Sequence, residues 1–122
     1  MTTIDEMHDH HDAARRSDRW ALPLAALSGT LVLVSNLGGI AVGDDGVGYR
    51  ATADSLLRGD GLQYFLEHPL TVWPPLWPSL MAGLAKVTPL DPVGAAIALN
   101  TAVTVAAVVL VHRLLRRVLD DD

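Results

Sequence analysis

Two adjacent carboxylates, Asp44 and Asp45, stand in the run Gly43-Asp44-Asp45-Gly46-Val47-Gly48-Tyr49, just beyond a long apolar block. A carboxylate placed there could act as general base toward a hydroxyl group. It could instead hold a divalent cation on a phosphate. A purely structural role is also open: Asp before a helix accepts backbone N–H bonds and complements the helix dipole. Gly43, Gly46 and Gly48 are a weak match to a phosphate cradle, because the Lys and the strand–helix context of a P-loop are missing. Glu67 and His68 form no recognisable constellation with the pair. The run His8-Asp9-His10-His11-Asp12 has the density of a metal-binding tract but reads better as a solvated tail. The chain has no cysteine, which excludes disulfides and thiolate metal sites.

The elements that must position these residues follow from the distribution of apolar side chains. A length of 122 residues would suit one soluble domain. The apolar residues, however, concentrate in Ala21–Val42 and Val93–Val111, neither of which contains Lys, Arg, Asp or Glu. Each has roughly the 20 residues needed to cross a hydrocarbon core of about 30 Å. The first block could be a signal peptide cleaved near Ala41-Val42-Gly43, but its length favours an uncleaved anchor, since a signal's apolar region runs about 7–15 residues. Residues 1–19 are polar without apolar periodicity and read as a flexible cytoplasmic tail. Span one is expected over residues 20–42, with Trp20 as interfacial anchor and Pro23 in its first turn. Ser35, Gly39 and Gly43 form a small-residue stripe suited to close helix approach, or simply mark fraying at Gly38-Gly39. Span two is expected over residues 93–112, followed by a cytoplasmic end, 113–122.

Charge sets the topology. Six of the nine basic residues flank the outer ends of the two blocks, and basic flanks favour the cytoplasm. Both termini are therefore expected there, at the cell membrane, which requires an even number of spans. Leu76–Val87 is too short for a third span and contains Lys86. Residues 43–92 then form an extracytoplasmic segment. The fold class expected is an all-α membrane protein, two transmembrane helices joined by a segment with short interfacial helices. In antiparallel spans Asn36 and Asn100 reach similar depth, where a hydrogen bond between them would contribute about 0.6–2 kcal/mol.

Within that segment the glycines around Asp44 and Asp45 predict a turn. An amphipathic helix follows near 48–58. Tyr49, Ala53, Leu56 and Leu57 share its apolar face, while Arg50, Asp54 and Arg58 stand at ion-pairing intervals. This face suits the membrane surface, and Gly59 and Gly61 end the helix. Trp73-Pro74-Pro75-Leu76-Trp77-Pro78 interrupts helical structure, with both tryptophans suited to the headgroup layer. A short interfacial helix is expected near 78–88, and Thr88-Pro89-Leu90-Asp91-Pro92 turns into span two.

The order of these features resembles a known family. An apolar span precedes Asp45-Gly46-Val47-Gly48-Tyr49-Arg50-Ala51-Thr52-Ala53. Then come Ser55-Leu56-Leu57-Arg58-Gly59-Asp60-Gly61-Leu62, Trp73-Pro74-Pro75-Leu76-Trp77-Pro78-Ser79-Leu80 and a second span. Residues 21–117 thus resemble the amino-terminal part of the polytopic GT-C glycosyltransferases, the superfamily of protein O-mannosyltransferases and lipid A aminoarabinose transferases. The resemblance implies inverting transfer of a sugar from a polyprenyl-phosphate donor to an acceptor at the outer membrane face. The matching acidic position is Asp45, with Asp44 the near alternative. Many relatives carry Asp-Glu at this site, where Gly46 follows Asp45 here. Family members also have many more spans, so the chain is expected to be a truncated or split member, inactive alone. Expected partners are the lipid bilayer, the polyprenyl-phosphate-linked sugar and the remaining spans, not nucleic acid; a divalent cation remains open as cofactor. Two other readings stand beside this one. One is a non-catalytic two-span protein that packs against a partner membrane protein. The other is a secreted product of cleavage near Gly43.

Overall fold

The computed structural model describes residues 4–37, 43–65, 68–71 and 73–120. They form helices α1 (Ile4–Ser35), α2 (Asp44–Arg58), α3 (Leu76–Val87) and α4 (Pro92–Asp120), with two-residue strands β1 (Gln63–Tyr64) and β2 (His68–Pro69) between α2 and α3. The chain divides into two compact units, Met1–Val34 with Thr101–Asp122, and Ser35–Asn100.

In the first unit, α1 begins at Ile4, well before the expected start at residue 20. Pro23 accordingly lies inside the helix rather than in its first turn. The apolar part of α1 within the described residues is Trp20–Ser35, shorter than a full span. Residues 38–42, which would complete the expected span, lie outside the described residues, as do Gly38, Gly39 and the cleavage-like Ala41-Val42. In α4, Pro92–Val118 forms a helix of 27 residues, long and apolar enough to cross a membrane.

Polar side chains in the apolar stretch of α1 are satisfied locally. Ser28 Oγ donates to the Ala25 carbonyl and Thr30 Oγ1 to the Ala26 carbonyl, both at 2.8 Å. Such bonds let hydroxyls sit in an apolar helix without an outside partner. Close approach to α4 occurs at Gly29. A Cβ built there would stand 2.9 Å from Val105 Cγ2 and 3.5 Å from Thr101 Cγ2. Ala25, one turn earlier, is also buried. Ala25 and Gly29 are thus small residues at a helix contact, while Gly39 of the expected Ser35–Gly39–Gly43 stripe lies outside the described residues.

The second unit holds a small core. Ala53 of α2 packs with Met81 and Ala82 of α3, flanked by Tyr49, Leu56, Trp77, Ala96 and Leu99. The expected apolar face of α2 forms at Tyr49, Ala53 and Leu56, but α3 occupies it, while Leu57 is exposed. Packing against α3 buries this area without needing a lipid surface. Helix α2 starts at Asp44, so the expected turn at Asp44–Gly48 is helical. It ends where expected. Gly59 adopts φ +89°, its N–H donates to the Leu56 carbonyl, and the Asp60 N–H donates to the Ser55 carbonyl at 3.0 Å. This double bond pattern is a Schellman motif, which calls for the left-handed conformation glycine adopts without strain.

Helix α3 begins at Leu76, earlier than the expected start after Pro78. Pro78 lies in the first turn, where its missing N–H would have no helical acceptor. The Asp91-Pro92 entry into α4 follows the expectation. The Asp91 carbonyl accepts from the Ala95 N–H at 2.9 Å, and Asp91 Oδ1 accepts from the Gly94 N–H at 2.8 Å. Asp91 is thus the N-cap and Pro92 the first helical residue. Asp91→Ala should weaken this end by about 1 kcal/mol. Amide exchange at Gly94 should accelerate about fivefold; unchanged exchange would remove the cap from the account. Asn36 lies just past α1 and donates Nδ2 to Ser35 Oγ at 3.4 Å, while Asn100 is exposed on α4.

Candidate functional site

The site is built on the first two turns of α2. Gly43 is the N-cap, in extended backbone (φ −69°, ψ 173°), with no side-chain cap. Asp44 and Asp45 follow as the first two helical residues, both exposed. Neither is therefore the N-cap, although both complement the positive end of the dipole from the first turn.

The two carboxylates differ in their surroundings. Asp45 Oδ1 accepts a hydrogen bond from Trp73 Nε1 at 2.7 Å, across 28 residues of chain. Asp44 has no side-chain partner among the described residues. The Trp73 bond fixes one oxygen of Asp45 and leaves Oδ2 without a partner among the described residues, open to solvent. A carboxylate oriented by a neutral N–H donor, with its second oxygen free, can accept a proton or join a cation's ligand shell.

Trp73 is held in turn by the residues around it. Its ring packs edge-on to Tyr64 with centroids 4.6 Å apart, and lies tilted to Tyr49 at 6.3 Å. Tyr64 also packs against Phe65 at 4.5 Å. The β1–β2 hairpin carries Tyr64 to this place, pairing Tyr64 with His68 and Gln63 with Pro69. Gly48 makes room for the indole: a Cβ there would stand 2.8 Å from Trp73 Cζ3 and 3.0 Å from Cη2. Glycine costs a helix interior roughly 0.5–1 kcal/mol relative to alanine. Here that cost is offset by ring packing and by the bond to Asp45.

Several expectations change at this point. Gly46 and Gly48 are helical, so the glycines do not form a phosphate-binding loop. Trp73 is half-buried against α2, with its N–H engaged by the Asp45 carboxylate. Glu67 lies outside the described residues, and exposed His68 serves the hairpin. Among the described residues no group of three or more His, Asp, Glu or Cys side chains could hold a metal ion.

No protein-family model, characterised protein or solved structure matches the chain.

Two cavities flank α2 within the Ser35–Asn100 unit. A slot of about 140 Å³ is bordered by Tyr49 and Arg50 of α2, Trp77 and Met81 of α3, and Ala96 and Asn100 of α4. A larger cleft of about 390 Å³ lies along another face, near Asp54, Arg58 and the turn that follows α2. The Arg50–Asp54 ion pair forms at 3.8 Å, with both side chains partly exposed. Arg58 pairs instead with Asp60, Nε to Oδ2 at 2.9 Å. The link between Asp45 and Trp73 had no signal in spacing, because they stand 28 positions apart with a hairpin between them. Gly48, three residues after Asp45 on a helical face, was the one hint that a bulky group approaches there.

Proposed function

We propose that this chain forms the amino-terminal part of an integral-membrane glycosyltransferase of the GT-C type, with Asp45 as the base of the reaction. The observation that carries the reading is the oriented, solvent-facing carboxylate of Asp45. It stands at the start of the acidic-turn helix that the sequence resemblance singles out, and Trp73 from the Trp-Pro-Pro stretch of the same resemblance holds it. In the proposed arrangement the apolar block Ala21–Val42 and α4 are two antiparallel spans with both ends cytoplasmic. The segment between them faces outward and meets the donor at the membrane surface, and further spans complete the enclosure. Support for this placement comes from the apolar helix Pro92–Val118 and from the apolar Trp20–Ser35 stretch.

In this mechanism Asp45 Oδ2 takes the proton of an acceptor hydroxyl. The acceptor oxygen forms a bond to the anomeric carbon from the face opposite the departing phosphate. The bond between that carbon and the phosphate oxygen breaks, and polyprenyl phosphate leaves with the electron pair, giving inversion. A divalent cation in this site would rest on Asp45 or Asp44 and on the donor's phosphate oxygens. The test is sugar transfer from polyprenyl-phosphate donors in membranes that contain the chain and the remaining spans. Asp45→Asn should lower transfer about 10²–10⁴-fold, the range of a lost general base. Asp44→Asn should have a much smaller effect. Transfer that is indifferent to both substitutions, together with stable co-purification of another membrane protein, would favour the non-catalytic reading instead.

A further inference from the structure

The cleft of about 390 Å³ lies on a separate face of α2 from the Trp73 contact. Asp54, Ser55 and Arg58 of α2 line it with Asp60, Gln63 and Phe65 from the turn that follows. Asp54 stands nine residues after Asp45, about 13 Å along the helix axis, so the cleft is distinct from the Asp45 site. We propose that this cleft binds a neutral sugar ring, using Asp54, Asp60, Arg58 and Gln63 as hydroxyl partners and Phe65 as a stacking wall.

The lining points to this class for four reasons. First, it mixes acceptors with donors in a small volume. Arg58 uses Nε on Asp60 Oδ2 at 2.9 Å, which leaves its two terminal amino groups and Asp60 Oδ1 without partners among the described residues. Asp54 is engaged only loosely, by Arg50 at 3.8 Å. Adjacent hydroxyls of a sugar both donate and accept, and they match such a set. Second, the two carboxylates are matched by Arg58 and by Arg50 on Asp54, so the cleft has no surplus of positive charge to favour phosphate or another anion. Third, the volume lies within the roughly 300–1,000 Å³ range of small-molecule sites. Fourth, Phe65 is the one non-glycine residue with positive φ among the described residues, at +37°. The residue is 46% exposed although its ring meets Tyr64 on one side. Strained backbone that presents an exposed ring at a cleft is expected where a ligand face covers the ring. Ser55 is buried, and its Oγ donates to the Gly61 carbonyl at 3.1 Å, which fixes the turn against the helix and sets the cleft's width.

The experiment uses the full chain in a detergent with no sugar headgroup. Methyl glycosides of glucose, mannose, galactose and N-acetylglucosamine are titrated while backbone and side-chain amide resonances are followed. At least one should give saturable shifts at Gln63, Asp60 and Phe65. Phe65→Ala and Asp54→Asn should each weaken binding about tenfold, while Asp44→Asn leaves it unchanged. Asp54 is a partly exposed helix-surface position, so its variant keeps the fold and guards against misreading a disturbed hairpin in Phe65→Ala; Phe65→Tyr should retain binding. The proposal is overturned if none of the four sugars shifts these resonances saturably. It is equally overturned if glucosamine or inorganic phosphate binds and the neutral glycosides do not. This inference stands apart from the base role of Asp45: Asp45→Asn should not alter sugar binding in the cleft, so either can fail alone.

Discussion

Gly48→Leu should expel Trp73 from its seat on α2 and break its hydrogen bond to Asp45. Even a Cβ at this position stands 2.8 Å from the indole, inside any real contact distance. Leucine brings three more carbons. The ring cannot retreat without loss, because Tyr64 is packed on its edge at 4.6 Å. Leucine is a better helix former than glycine by somewhat under 1 kcal/mol, so α2 itself should persist. Against that gain stand overpacking of about 1–3 kcal/mol and loss of an aromatic pair, about 0.5–1.5 kcal/mol. The net expectation is destabilisation of the second unit with α2 still formed. The Trp73 indole N–H resonance should move toward the position of a solvated indole, with Trp20 and Trp77 as internal references. In the transfer assay the variant should fall toward the level of Asp45→Asn. A Trp73 resonance that stays in place would show that the indole is not held where Gly48 would matter.

Gly29→Leu should separate α1 from α4 in the unit they share. The added side chain would enter space already held by Val105, whose Cγ2 stands 2.9 Å from the position of the first added carbon. Between apolar helices in lipid, close packing at small residues drives association, so the loss is not made up by a hydrophobic term. About 1–3 kcal/mol of overpacking is expected. The blocking group is one valine methyl, which predicts a compensating pair. Gly29→Ala combined with Val105→Ala should restore the packing that Gly29→Ala alone disturbs. The chain has no cysteine, so nitroxide labels can be placed cleanly at exposed Leu27 and Val103. The distance between them should lengthen and broaden in Gly29→Leu and return in the compensated pair. An unchanged distance in Gly29→Leu would rule out this contact as the packing site.

What could be read from the residues depended on how local the physics was. Gly59 and Asp91-Pro92 act within a few residues, and both ended or began a helix where their chemistry says they must. The pairing of Arg50 with Asp54 is equally local. Pro78 misled because a proline reads as a break, yet in the first turn of α3 it breaks nothing. Asp44 to Gly48 misled for a related reason: glycine-rich sequence reads as a turn, and the compensation for Gly48 is an indole brought from the far side of a hairpin. Helix α1 extends past its apolar block through residues that carry no apolar periodicity, so that signal could not show where it starts. Asp45 was singled out as a candidate from its place in the chain; its hydrogen bond from Trp73 is visible only in three dimensions. The position of Gly29 opposite Val105 was likewise hidden, because a small residue shows where a neighbour fits but not which turn faces it.

The bond from Trp73 to Asp45 also gives the protein an optical reporter. Indole emission responds to the charge next to its N–H and to the water around its ring. With Trp20 and Trp77 replaced by phenylalanine, all remaining tryptophan light would come from a fluorophore 2.7 Å from one oxygen of the candidate base. A cation or an acceptor hydroxyl arriving at the other oxygen would change the field along that bond and shift the emission colour. Occupancy of the carboxylate could then be followed in real time, in membranes, without a label and without turnover.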